Sequence, residues 1–211
     1  MTGRLITFEG IEGAGKTTQA RLLVRRLQRK GIPTLLIREP GGTPLGERLR
    51  RLLKDARLTL APEAEALLFL ASRAQVLHQV VAPALGRGQW VVADRWADST
   101  LAYQGYGRGL PLEALRAGNR MAAGGLTHPH LTVLLDIPPE EALRRRKPSP
   151  NDRFEAAGLD FLRRVREGYL ALAREEPERW LVVDANLPRL DIARQVWVRV
   201  CHLAEKPFPT L

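Results

Sequence analysis

Cysteine is almost missing from this chain of 211 residues: Cys201 stands alone, so an intramolecular disulfide is impossible and a reducing compartment, the cytoplasm, is the expected setting. Long apolar runs are missing too. Runs such as Val91-Val92-Ala93 are far shorter than the roughly 20 residues of a membrane span, so no membrane partner is expected. The N-terminal residues Gly3-Arg4-Leu5 lead straight into a strand pattern, and no secretory leader is expected. Lysine is scarce, at 5 residues against 28 arginines. Hydrophobic residues at 45% and charged residues at 27% exclude a disordered chain. The length suits a single domain spanning residues 1–211. A net charge of +10 admits a nucleic-acid partner or a small polyanion, and composition does not choose between them.

What is present is a rhythm. Leu5-Ile6-Thr7-Phe8 reads as a buried strand followed by a Gly-rich turn. Residues 16–30 read as a helix with Ala20, Leu23, Val24 and Leu27 on one face, ended by Gly31. Residues 33–37, 90–93, 131–135 and 180–183 read as four more strands, and residues 46–55 and 63–85 as helices. Strands alternating with helices predict a five-stranded parallel sheet covered on both faces. Two segments break the rhythm. Residues 105–109 read as a Gly-rich turn. Residues 144–153 are basic and carry Pro148 and Pro150, which bar a continuous helix; that segment, about 144–155, reads as a short lid.

Gly10-Ile11-Glu12-Gly13-Ala14-Gly15-Lys16-Thr17 satisfies the P-loop pattern at every fixed position, between a strand and a helix. Backbone N–H groups of such a loop cradle phosphate, and the helix N-terminus adds partial positive charge. Lys16 is placed to reach the β/γ-phosphates, and the Thr17 hydroxyl to ligate Mg²⁺. The pattern implies ATP-type ligands and leaves the acceptor open. A guanine-reading N-K-x-D string is lacking, which argues against a GTPase.

Arg38 and the Asp94-Arg95 pair follow carboxyl ends of predicted strands, where open parallel sheets bind ligands. Asp94 is a candidate for the metal shell. Arg38 and Arg95 are candidates to grip an acceptor phosphate with forked donors, surface ion pairs being the plainer alternative. Phe69 and Arg73 share a helix face at i, i+4 and could stack on a base and hydrogen-bond its edge, or be core and rim.

Four strings then carry a specific resemblance. Phe8 to Thr18 through the P-loop, Arg38-Glu39-Pro40-Gly41-Gly42-Thr43, Leu68-Phe69-Leu70-Ala71-Ser72-Arg73, and the run from Asp94-Arg95-Trp96 to Tyr103-Gln104-Gly105 resemble thymidylate kinases, in order along nearly the whole chain. Asp152-Arg153-Phe154-Glu155 resembles the end of the family's lid. The resemblance implies a P-loop nucleoside monophosphate kinase-like fold, ATP and dTMP as substrates, Mg²⁺ and a homodimer, with no role for nucleic acid. It implies that residues 10–18, Thr18 included, surround the ATP phosphates and that Arg145 stacks on adenine. Phe69 would stack on thymine, Arg73 would meet its O4, and Thr100 would face N3. Tyr103 would pack near C2′, Glu12 near the 3′-hydroxyl and Gln104 near the base. Arg38 and Arg95 would hold the 5′-phosphate. Gly13 stands where some relatives carry a P-loop arginine, which points to the bacterial type with a catalytic lid cation: Arg153, or else Arg146 or Lys147. The alternatives are a kinase of the same fold for another nucleotide, and a P-loop ATPase that binds nucleic acid.

Overall fold

The structure is a computed structural model; it describes residues 3–145, 153 and 158–205. Five strands, β1 (Leu5–Glu9), β2 (Thr34–Arg38), β3 (Trp90–Asp94), β4 (Leu131–Asp136) and β5 (Trp180–Asp184), form one parallel sheet in the order β2-β3-β1-β4-β5. The helices are α1 (Lys16–Arg29), α2 (Pro44–Lys54), α3 (Pro62–Val76), α4 (Ala82–Gly86), α5 (Ala97–Thr100), α6 (Leu112–Ala123), α7 (Pro139–Arg144), α8 (Gly158–Glu175) and α9 (Arg189–Glu205). β1 and β3 are buried throughout, whereas the edge strands β2 and β5 are partly exposed, as expected when helices cover both faces. Alternate residues of β3 feed two apolar clusters. Trp90 and Val92 pack with Ala20, Leu23 and Leu27 of α1; Val91 and Ala93 pack with Val76, Val81 and Ala84.

Sheet register does much of the work of assembling a site. Arg38 pairs with Asp94, and Asp94 with Phe8, so the carboxyl ends of β2, β3 and β1 lie level. The chain leaves β1 toward β2 and β3, then crosses to β4 and β5 on the other side. The P-loop therefore opens at a topological switch point.

Three expectations need correction. The helix read over residues 63–85 is interrupted by a π-helical turn at Leu77–Val81. Pro83 lies just beyond it. A proline inside a helix has no N–H to donate and crowds the carbonyl four residues back, and the wider turn absorbs both effects. Residues 105–109, read as a turn, instead begin inside a π-helical coil, Leu101–Gly107, that continues α5. The Arg108 N–H bonds the Tyr103 carbonyl at 2.9 Å, the five-residue spacing of that coil. Its glycines serve close packing: a Cβ on Gly107 would meet the Phe161 ring of α8 at 2.7 Å. α2 starts two residues earlier than its pattern, because the Thr43 hydroxyl accepts the Gly46 N–H at 2.9 Å and Pro44 suits the first turn.

Candidate active site

The loop between β1 and α1 turns on glycines 10, 13 and 15 at φ of 134°, 88° and 94°, values that side chains rarely tolerate. Its backbone delivers Lys16 and Thr17 to the start of α1. Lys16 is buried and its Nζ donates to the Ile11 carbonyl at 2.7 Å. Burial first, and Arg95 second, push its pKa down to about 7; Asp94, Glu12 and Glu9 oppose them. The Thr17 hydroxyl donates to Asp94 in a short contact.

A cavity of about 760 Å³ opens over this loop and the ends of β2 and β3. Glu12, Lys16, Thr17, Arg38, Asp94 and Arg95 line it, together with Phe69, Tyr103 and Gln104. Arg38 is half exposed and reaches Glu47 at 3.3 Å. Arg95 has a φ of 76°, the left-handed region, and is the one non-glycine residue among those described that adopts it. Its Nη1 donates to the Gly10 carbonyl at 3.0 Å, and its Nη2 to the Tyr103 hydroxyl at 2.8 Å. The guanidinium lies 4.7 Å from the Tyr103 ring centre. Burial pushes the Tyr103 hydroxyl up to about 12. Glu9, behind Arg95, is raised to about 7 by burial and then by Asp98, against the pull of Arg95, Ser99 and Tyr169.

Seven expected residues lie outside the cavity lining: Gly10, Ile11 and Ala14 of the P-loop, and Arg73, Thr100, Arg145 and Arg153. Arg73 is buried, and all five of its N–H donors are engaged: Nε and Nη2 with Glu39 at 2.9 and 2.8 Å, Nη2 with the Trp96 carbonyl at 3.1 Å, and Nη1 with Thr100 and Asn119 at 2.9 and 2.6 Å. Thr100 is the buried acceptor in that network. Arg145 reaches across to the loop after β5, donating to the Ala185 carbonyl at 2.8 Å and to Asn186 Oδ1 at 2.6 Å. Arg153 sits against the end of α2. Its backbone N–H bonds the Lys54 carbonyl at 3.1 Å, and its guanidinium meets the buried Glu65 at 2.6 Å. Arg146 and Lys147, with most of the lid segment, lie outside the described residues.

Thr17 and Asp94 offer a hydroxyl and a carboxylate, the hard oxygen donors Mg²⁺ prefers. Among the described residues no group of three or more His, Cys, Asp or Glu gathers into an all-protein cage. The pair fits an ion that keeps water and shares phosphate oxygens with its nucleotide.

A family model described as thymidylate kinase matches residues 8–196. The chain belongs to the thymidylate kinase family. It is 51% identical over 200 residues to the thymidylate kinase of Deinococcus radiodurans, covering 94% of this chain and 96% of that one. It is 45% identical over 196 residues to the thymidylate kinase of Caldanaerobacter subterraneus subsp. tengcongensis, covering 93% and 94%. The crystal structure of thymidylate kinase from Ehrlichia chaffeensis superposes with a TM-score of 0.77 at 33% identity, covering 95% of this chain and 99% of that one.

The thymidylate kinase strings leave out a cavity residue that the structure reveals. Arg50 of α2 lines the cavity beside Arg38 and donates to the Pro40 carbonyl at 3.1 Å; burial, then Arg38, lower its pKa. A signal for it existed: residues 46, 50 and 53 fall on one helix face, and Gly46 and Leu53 are buried.

Proposed function

We propose that this chain catalyses ATP + dTMP → ADP + dTDP, the phosphotransfer of the family to which it belongs, in the supply of dTTP. The observation that carries the reading is one cavity that joins a P-loop, with Lys16, Thr17 and Asp94, to three arginines, Arg38, Arg50 and Arg95, and to the aromatic Phe69. One end is built for a triphosphate. The other is built for a second phosphate attached to a flat ring.

A dTMP phosphate oxygen attacks the γ-phosphorus of ATP; the bond from that phosphorus to the bridging oxygen breaks, and ADP keeps the electron pair. The attacking oxygen is already ionised, so no strong base is needed, and the protein's task is alignment and charge neutralisation. Residues 10–18 cradle the donor phosphates with backbone N–H groups. Lys16 exchanges the Ile11 carbonyl for phosphate oxygens, and that anionic company restores its ammonium form. Thr17 and Asp94 would hold Mg²⁺, which would supply positive charge to the donor phosphates. Arg38, Arg50 and Arg95 hold the acceptor phosphate. Phe69 stacks on thymine with Gln104 beside it, Tyr103 occupies the space of a ribose 2′-hydroxyl, and Glu12 lies near the 3′-hydroxyl. Arg73 reaches the base edge by exchanging one of its five bonds, the one to Thr100. Arg145 supplies the adenine platform. Lys16 and Arg95 are the catalytic cations already at the cavity. Arg153 joins them by leaving Glu65.

No described helix is long and apolar enough to cross a membrane. We assign the chain to the cytoplasm as a homodimer, a reading supported by its lone cysteine and by exposed Leu45 and Leu52 of α2, Leu67 of α3 and Met121 of α6, on three helices that pack side by side. ADP release measured with ATP alone, with dTMP and with DNA or RNA tests the reaction. Strong stimulation by dTMP alone is expected; stimulation by nucleic acid instead would make the chain a different P-loop enzyme.

A further inference from the structure

We propose that Tyr169 of α8 is a positioning residue for Arg95: its hydroxyl, oriented by Glu9, holds the guanidinium at the angle that presents its remaining donors to the acceptor phosphate. This rests on the reading of Arg95 as a ligand of that phosphate.

Arg95 is an unusual base for such a task. Its left-handed backbone is costly without a scaffold. Two bonds supply one: the Arg95 N–H to the Phe8 carbonyl at 3.1 Å, and the Trp96 N–H to Glu9 Oε1 at 2.7 Å. The other Glu9 oxygen, Oε2, accepts the Ser99 hydroxyl at 2.6 Å and the Tyr169 hydroxyl at 2.8 Å. Both hydroxyl hydrogens are thus drawn to one carboxylate, and the hydroxyl oxygens turn their lone pairs toward Arg95. Arg95 Nη1 donates to them, at 3.1 Å to Tyr169 and 3.2 Å to Ser99. With Nη1 fixed there and one Nη2 hydrogen on Tyr103, the Nε–H and the second Nη2–H have no partner among the described residues. Those two hydrogens remain to meet phosphate oxygens. A network that engaged all five donors, as the one around Arg73 does, would leave Arg95 none to offer a phosphate.

Tyr169 reaches this position from an element 74 residues beyond Arg95. Its seat is built for close approach. A Cβ on the preceding Gly168 would meet Tyr106 Cγ at 2.5 Å, so α8 presses on the coil after α5 more closely than any side chain at 168 would permit. Tyr169 is fully buried, and its ring stands edge-on to Tyr103 at 6.3 Å. Phenylalanine would supply the same packing but not the hydroxyl, which links Glu9 to Arg95 beside the Ser99 hydroxyl.

Tyr169→Phe, Arg95→Ala and the double variant test this, read by calorimetric affinity for dTMP, KM for ATP and thermal melting. Tyr169→Phe should weaken dTMP by about 10-fold, in the range for a hydrogen bond to a charged group, with ATP affected less than about twofold. In the Arg95→Ala background the same change should have almost no effect, because its only route is absent. A full loss persisting in that background, an equal loss of ATP affinity, or no loss in the single variant would overturn the proposal. Undiminished dTMP binding by Arg95→Ala itself would instead overturn the reading of Arg95.

Discussion

At the scale of single residues, burial sets the chemistry more than type does. Lys16 is held near a pKa of about 7, so in the ligand-free protein at pH 8 most of it is neutral. A polyphosphate restores the cation, and ATP binding at pH 8 should be accompanied by proton uptake. Titration calorimetry in buffers of different ionisation enthalpy reads the uptake directly. Lys16→Met should abolish it, and uptake unchanged in that variant would contradict the account. Arg73 makes the opposite case. Arg73→Met leaves Glu39 buried with its charge unmatched, a loss of about 3–5 kcal/mol. The Glu39 carboxyl already sits up at about 7, from burial, against the pull of Arg73. A raised carboxyl pKa leaves stability intact at low pH and removes it as pH climbs through the folded value. Without Arg73 that carboxyl rises further, so the deficit of Arg73→Met should grow as pH climbs above about 7 in denaturant titrations, and a pH-independent deficit would assign the loss to packing.

At the scale of elements, the strands and the P-loop were legible because their signals are local. β1, β3 and β4 are continuous apolar runs, and the phosphate-binding pattern sits in eight consecutive residues. The π-helical coils were not legible: Pro83 fell inside a pattern that read as one continuous helix, and the glycines at 105 and 107 read as a turn until a packing partner shows why they are tolerated. Long-range bonds stayed hidden for the same reason: Glu9 and Tyr169 are 160 residues apart, and nothing in either neighbourhood announces the other. Glu65 belongs to this group. It binds Gln104 at 2.7 Å, Arg108 at 3.1 Å and Arg153 at 2.6 Å, which ties the end of the lid to α3. A lid arginine that neutralises the transferring phosphoryl group predicts a kcat loss of about 10³ for Arg153→Ala with little change in KM for dTMP. A loss below about tenfold with a lowered melting temperature would identify Arg153 as an anchor for Glu65 and move the catalytic role to Arg146 or Lys147.

For the whole molecule, the parallel sheet explains why residues from the loop after β1, from α1, β2, β3, α2 and α3, and from the coil after α5 meet at one cavity: every strand ends on the same side, and the register levels the ends. The apolar residues left on α2, α3 and α6 give the dimer its test. Leu67 is 61% exposed, so Leu67→Glu should leave the protomer's stability nearly unchanged while sedimentation velocity shows a shift from dimer to monomer. A wild-type protein that sediments as a monomer would remove the dimer from the account. The central claim is a cavity shaped for thymidine monophosphate, and the most direct measurement is kcat/KM for dTMP beside dUMP, dCMP, dGMP and the ribonucleotide of thymine. The account predicts dTMP first, dUMP weaker by about 10–200-fold for its missing methyl group, and the others weaker still. Equal kcat/KM for dTMP, dCMP and dGMP would contradict it.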